Sequence, residues 1–143
     1  MLEKLAAVAA REAGLPDPLD ISAVFLPDDR MAELNEESLG HSGPTDVISF
    51  DLRVPECSFP KTEEDPFEAD VELYICPDVA RREAEKRDLP YAREVTLYLV
   101  HGLLHAAGED DLEPVKKRRM RRLEKRVLSR LEKQFDFETI FGC

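Results

Sequence analysis

The stretch that most constrains this chain is HGLLHAAGEDD, which runs from His101 to Asp111. Histidines four apart share one face of a helix, so the imidazoles of His101 and His105 can reach a single metal ion. Gly108 fits the left-handed residue that commonly ends a helix, and the reversal would bring Asp111 back to the same face. The pattern therefore predicts a buried helix over residues 95–107 with a metal site of His101, His105 and Asp111 at its end.

The donor set favours zinc. Two imidazole nitrogens and one carboxylate oxygen suit its tetrahedral shell, and three protein ligands leave a position for water, as in catalytic sites. The same set can hold iron or nickel, so the identity of the metal stays open. Histidines on an apolar helix can also be ordinary core residues. The glycine and the carboxylate that follow this pair favour the metal site over that alternative.

The charge of the chain is strongly uneven. The whole chain carries a net charge of -11, but residues 113–130 hold nine basic and two acidic residues. This segment has a net charge of +7, which leaves -18 for the remainder. A positive helix beside a metal site suits a polyanionic substrate. A solvated helix face paired with the acidic remainder is an equally good explanation.

Composition indicates a cytoplasmic protein. The 143 residues, 43% of them hydrophobic, predict a single domain over 1–143. No apolar run approaches the roughly 20 residues that cross a bilayer, and the first residues lack the features of a signal peptide. The three cysteines form no CxxC pair, which indicates reduced thiols. Neither a membrane nor DNA is expected as a partner.

Hydrophobic periodicity predicts an α+β fold, with a small mixed sheet of three to four strands and about five helices. The second strand is expected at an edge, and Asp28 is expected to cap the second helix. Residues 55–70 hold three prolines and six acids, which predicts an exposed, mobile loop. The predicted strands are 21–26, 45–52 and 71–76, and the predicted helices are 2–13, 28–39, 78–87, 95–107 and 113–133.

The run HGLLHAAG resembles the signature of the YbeY family of metal-dependent endoribonucleases, H-G-x-L-H-x-x-G followed by two residues and a third ligand. That third ligand is usually histidine, whereas this chain has Asp111. The resemblance extends to TDVISF at 45–50, to VELYICP at 71–77, and to Met120 and Glu124, which match the family's M-x-x-x-E. The chain thus looks like a divergent member of the family.

The resemblance implies a metal-dependent single-strand endoribonuclease that acts in maturation of small-subunit ribosomal RNA and in ribosome quality control. It implies one zinc ion per chain and, as partners, a ribosomal RNA precursor and the small ribosomal subunit. The residues expected to contact RNA phosphates lie on the basic helix: Lys116, Lys117, Arg118, Arg121 and Arg122.

The remaining catalytic candidates are His41, Thr45 and Ser49. The family usually has an arginine before the TDV segment, thought to meet the RNA phosphate, and this chain has Leu39 there. His41 could serve as a phosphate donor or general acid because it titrates near neutral pH. Thr45 and Ser49 could orient the substrate through their hydroxyls. The alternative for all three is an ordinary turn or strand residue.

Two rival functions remain. The first is a ribosome- or RNA-associated binding protein with a structural metal and little nuclease activity, which the missing arginine favours. The second is a metallopeptidase of the metzincin type, whose histidine spacing is the same. Those peptidases place a glutamate directly after the first histidine as general base. This chain has Gly102 there, which makes the peptidase the weaker alternative.

Overall fold

The computed structural model describes residues 1–53 and 69–142. Over these residues the fold is α+β, as predicted, with three strands and six helices. In chain order the elements are α1 (Leu2–Glu12), β1 (Ile21–Phe25), α2 (Asp28–Leu39), β2 (Val47–Asp51), β3 (Val71–Ile75), α3 (Pro77–Arg87), α4 (Tyr91–Ala106), α5 (Pro114–Gln134) and α6 (Phe137–Phe141). None of these helices combines the length and the apolar character that a bilayer crossing requires.

The sheet is mixed, with the strand order β1-β3-β2. β1 runs parallel to β3, with Ile21 opposite Val71, and β2 runs antiparallel to β3, with Val47 opposite Ile75. Strand β3 has neighbours on both sides, and its residues Val71, Leu73 and Ile75 are fully buried. The prediction that the second strand lies at an edge and makes the sheet mixed is confirmed.

Helix α4 lies at the centre of the fold and packs against the sheet, α1, α3, α5 and α6. Eleven of its 16 residues are buried, which explains why its sequence is apolar nearly all round. It begins at Tyr91, earlier than the prediction of residue 95, because Pro90 takes the extended conformation that suits a residue preceding a helix. Gly102 allows close contact with the sheet, since a Cβ there would lie 2.7 Å from Leu73 Cδ2.

The predicted cap of α2 is wrong. Pro27 is the N-cap residue and Asp28 is already helical. The Asp28 carboxylate instead accepts hydrogen bonds from Nη1 and Nη2 of Arg82, at 2.7 and 2.8 Å. A bidentate pair with arginine is stronger than a single hydrogen bond to a backbone N–H, so the tertiary partner takes the carboxylate.

Two other segments concern the sequence analysis: the tail, residues 135–141, and the predicted loop over 55–70. The tail, which has no clear hydrophobic period, forms α6, and Asp136 caps it by accepting from the Glu138 backbone N–H at 3.1 Å. Residues 54–68 lie outside the described part of the chain. The loop predicted over 55–70 falls almost entirely within that segment.

Candidate metal centre and cleft

The end of α4 has the geometry that its sequence predicts. Gly108 has a φ of +98°, and the Gly108 and Glu109 N–H groups donate to the carbonyls of His105 and Leu104, both at 3.0 Å. These bonds satisfy carbonyls that the helix end leaves free. The chain then reverses, and Asp111 returns beside the two histidines.

Three ligand atoms converge at this point. Nε2 of His101 lies 2.9 Å from Nε2 of His105. The carboxylate oxygens of Asp111 lie 3.8 Å from the first nitrogen and 3.9 Å from the second. Metal–ligand bonds of ~2.0 to 2.1 Å in a tetrahedral shell separate the ligand atoms by roughly 3.3 Å. The three distances bracket that value, so the donor set fits one small divalent cation.

Glu124 of α5 orients the first histidine. Its Oε1 lies 2.7 Å from His101 Nδ1, and both side chains are largely buried. A carboxylate on one ring nitrogen leaves the other as the metal-facing lone pair and makes the ligand more basic. The sequence pointed to Glu124 only as part of a motif. The available signal was its spacing of four from Met120, which puts it on the buried face of α5.

The two histidines differ in their proton affinity. Burial lowers the pKa of His101, but the hydrogen bond and charge of Glu124, with Asp46 and Asp111, raise it overall above its usual value. Burial and the neighbouring His101 lower the pKa of His105. His105 is thus the more readily neutral of the two, and neutral imidazole is the form that binds a metal.

Two of the metal ligands, His101 and Asp111, line a cleft of about 470 Å³ whose other lining residues come mainly from α3, α4 and α5. His105 lies outside this lining, with its Nε2 2.9 Å from that of His101. Its lining contains five carboxylates and three cationic side chains, so its surplus negative charge would be offset by a divalent cation. The carboxylates belong to Asp46, Glu83, Glu94, Asp111 and Glu124, and the cations are Arg87, Lys117 and Arg121. Of these, Glu83, Glu94 and Arg87 belong to no motif in the sequence analysis, and Asp46 entered it only as part of TDVISF.

The three other catalytic candidates lie in different surroundings. Thr45 lines the cleft, and its hydroxyl lies 3.1 Å from Asp46 Oδ1. Ser49 lies on β2, and its hydroxyl is buried without a hydrogen-bond partner in the described residues. His41 is exposed and is not part of the cleft lining. Leu39, at the position of the family's arginine, is 51% exposed at the end of α2.

The cations expected to contact phosphates are not equivalent. Lys117 and Arg121 line the cleft. Lys116 forms an ion pair with Asp110 at 3.3 Å. Arg118 and Arg122 are exposed on α5 outside the cleft lining. Only two of the five therefore lie where they could meet a strand that also reaches the metal ligands.

The sequence model of the family described as Endoribonuclease YbeY matches residues 1–132. The chain belongs to the YbeY family. Curated members named Endoribonuclease YbeY include one from Sinorhizobium medicae, 35% identical over 135 residues, which are 92% of this chain and 77% of that protein. One from Lactobacillus helveticus is 33% identical over 129 residues, 87% of this chain and 74% of that protein.

A YbeY relative from Frankia alni is 34% identical over 112 residues, which cover 77% of this chain but only 62% of the relative. The chain thus spans less than two thirds of that relative's length. The fold is similar to the solution structure of TM1509 from Thermotoga maritima, with a TM-score of 0.57 and 24% identity, over 91% of this chain and 78% of that one. This likeness supports the α+β architecture.

Proposed function

We propose that this chain is a metal-dependent single-strand endoribonuclease that acts in small-subunit ribosomal RNA maturation and in ribosome quality control. Residues 1–143 form its single catalytic domain. The observation that carries the proposal is the convergence of His101, His105 and Asp111 beside a cleft whose lining includes His101, Asp111, Lys117 and Arg121. Relatives over most of the chain are named Endoribonuclease YbeY, which supports the reaction class.

Zinc is the proposed metal, one ion per chain, held by His101, His105 and Asp111. The nitrogen and oxygen donors and their separations suit it. A zinc ion held by these residues would supply a Lewis acid for a phosphate oxygen or for water. Glu124 holds His101 in the orientation and tautomer that present Nε2.

The substrate is a single RNA strand that lies in the cleft. Lys117 and Arg121 neutralise its phosphates, and this electrostatic contribution weakens as salt rises. The Thr45 hydroxyl, on the cleft wall, orients the strand. His41, exposed at the end of α2, is the remaining candidate for a phosphate contact or general acid.

A second candidate function is RNA or ribosome binding with a structural metal and little nuclease activity. Leu39 favours it, because an exposed leucine cannot replace the arginine that the family usually has there. The metallopeptidase alternative loses support. The position of its general base is Gly102, which faces the sheet, and even a Cβ there would crowd Leu73 and Val47.

The decisive experiment is single-turnover cleavage of a small-subunit ribosomal RNA precursor by the wild type, His105→Ala and His41→Ala. We expect metal-dependent cleavage by the wild type and none by His105→Ala, because the latter lacks one ligand. Equal traces of cleavage by these two proteins would mean that the metal centre does not cleave RNA and would favour the binding protein. Loss of cleavage in His41→Ala with the metal retained would assign His41 to catalysis.

A further inference from the structure

Glu94 is a buried carboxylate that the metal centre does not use. It is 1% exposed, and its Oε2 has no hydrogen-bond partner in the described residues. Its Oε1 lies 3.7 Å from Nη1 of Arg87, which is longer than a hydrogen bond. The Tyr98 hydroxyl also interacts with this carboxylate, so the unsatisfied atom is Oε2. Burying an acceptor without a partner is costly, and native structures rarely keep one without a purpose.

Glu94 lines the same cleft as His101 and Asp111. It precedes His101 by seven residues on α4, which places it on the same helix face, two turns or roughly 10 Å away. The cleft lining also contains Val79, Glu83 and Arg87 of α3 and Leu97 and Tyr98 of α4. Of these, Arg87 lies 3.7 Å from Glu94, and Tyr98 interacts with its carboxylate. We call the part of the cleft at Glu94, two helical turns from His101, its inner end.

The chemistry of this inner end calls for a ligand with a hydrogen-bond donor. A carboxylate only accepts hydrogen bonds. Arg87 covers Glu94 but is held loosely, since its contacts to Glu94 and Glu83 are 3.7 and 3.8 Å and its side chain is 55% exposed. Arg87 can therefore turn toward a ligand and leave the Glu94 carboxylate open to it.

A nucleobase matches these groups. Proteins read single-stranded RNA by splaying bases into pockets and bonding to their edges. Val79 and Leu97 are apolar side chains that can flank a base. Burial and the carboxylates of Glu94, Asp46 and Glu83 raise the pKa of Tyr98, so its hydroxyl stays protonated at neutral pH. Cytosine offers an amino donor beside a ring acceptor, which pair with a carboxylate and an arginine, respectively.

We infer that the inner end of the cleft is a base-specificity subsite in which Glu94 accepts a hydrogen bond from the exocyclic amino group of a nucleobase. Arg87 donates to the neighbouring acceptor of the same base. Uracil held in the same register is disfavoured, because it presents its O4 carbonyl to the Glu94 carboxylate and its N3–H to the Arg87 guanidinium. This subsite rests on the proposed function, since it reads a nucleotide of the RNA strand that the metal centre is proposed to cleave.

The test compares binding of fluorescently labelled oligocytidylate and oligouridylate of equal length, at the same salt and near neutral pH, by fluorescence anisotropy. The two probes carry the same charge, so phosphate contacts cancel in the ratio of affinities. We expect the wild type to bind oligocytidylate about ten-fold more tightly or better, in line with one well-formed base contact. Glu94→Gln should bring the ratio close to one, because its amide can also pair with the uracil carbonyl.

Glu85→Gln is the matched control, since Glu85 lies on α3 outside the cleft lining, and it should keep the wild-type ratio. Arg87→Met is the second variant in case Glu94→Gln fails to fold. Its side chain is exposed, and its loss should reduce the same ratio because the ring acceptor of cytosine loses its donor.

The binding ratios and the cleavage assay together distinguish failure of this subsite from failure of the proposed function. Equal affinity of the wild type for both probes, or an unchanged ratio in Glu94→Gln, would overturn the subsite even if RNA is cleaved. A cytidylate preference that Glu94→Gln abolishes would support it. If the same protein cleaves no RNA, the nuclease function fails while the base-reading site stands.

Discussion

Within residues 1–53 and 69–142, two clusters each bring three possible metal ligands within 4.8 Å of one another, and the two differ in what neutralises their charge. One consists of His101, His105 and Asp111, and the other of Asp28, Cys76 and Asp78. In the described residues, the ion pairs of Asp111 are with the two histidines. The ligand atoms of the histidine cluster face each other, and Glu124 contacts the other ring nitrogen of His101.

The charge of the second cluster is already neutralised by a neighbouring arginine. Arg82 binds both oxygens of Asp28, and the Asp28 backbone N–H donates to Asp78 Oδ2 at 3.0 Å. Burial raises the pKa of the Cys76 thiol, which keeps it protonated and a poor ligand. Proximity of ligand types is therefore insufficient to define a metal site. What matters is whether the protein has already satisfied their charge and lone pairs.

The largest expected effect is on metal content. Wild-type protein purified without a histidine tag should hold about one zinc ion per chain, and His105→Ala should hold none, because two ligands do not complete a zinc shell. Cys76→Ser and His41→Ala, measured by mass spectrometry beside it, should keep the full amount. Metal loss in Cys76→Ser would reverse the assignment of the two clusters.

Next in size is the effect of the supporting carboxylate. Glu124→Gln should weaken metal affinity about 10- to 100-fold, since His101 loses the group that orients it and raises its basicity. Competition with a chromogenic chelator measures this affinity. Glu132→Gln, near the far end of α5, where its carboxylate pairs with Arg93, is the control and should match the wild type. Unchanged affinity in Glu124→Gln would show that His101 needs no support.

A change in the packing of α4 against the sheet should have a smaller effect, which is on stability. In Gly102→Ala the new methyl would lie 2.7 Å from Leu73 Cδ2 and 3.1 Å from Val47 Cγ2, inside a packed core. Overpacking costs about 1 to 3 kcal/mol, and better helix propensity returns ~1 kcal/mol, so we expect a net loss of about 1 kcal/mol. Urea unfolding measures the loss. The double variant with Leu73→Val should lose less than the two single variants do together.

The smallest effect concerns acid stability at the second cluster. Arg82 lowers the pKa of Asp28 in the folded protein. The stabilisation is therefore present above the unfolded pKa of about 3.9 and is lost as the pH falls through the lower folded value. Asp28→Asn should lower the melting temperature at neutral pH and approach the wild type in acid.

Asp29→Asn, at the exposed neighbouring position, should show no such pH dependence. A melting difference for Asp28→Asn that stays constant with pH would mean that the pair with Arg82 adds no stability. The second cluster would then have no neutralising cation of consequence, and the contrast with the histidine cluster would weaken.

Much of the site could be predicted from local sequence. The spacing of His101 and His105 and the glycine at 108 are local features, and a helix with a left-handed end imposes their geometry. Asp28 shows the limit of such reasoning. Its place before a helical pattern predicts a cap, but Arg82, 54 residues away in sequence, binds its carboxylate instead. No local pattern contains that partner.

By itself the sequence determined the α+β class, the edge position of the second strand, the metal-bearing helix and its three candidate ligands, because hydrophobic period, turn residues and ligand spacing act over a few residues. The tertiary structure decided that Glu124 supports His101. It also decided that Lys117 and Arg121 line the cleft while Lys116 is paired with Asp110. Finally, it decided that Glu94 is buried in the lining of the same cleft. These relations depend on how α3, α4 and α5 pack. Burial and charge pairing between distant segments exist only once the chain has folded.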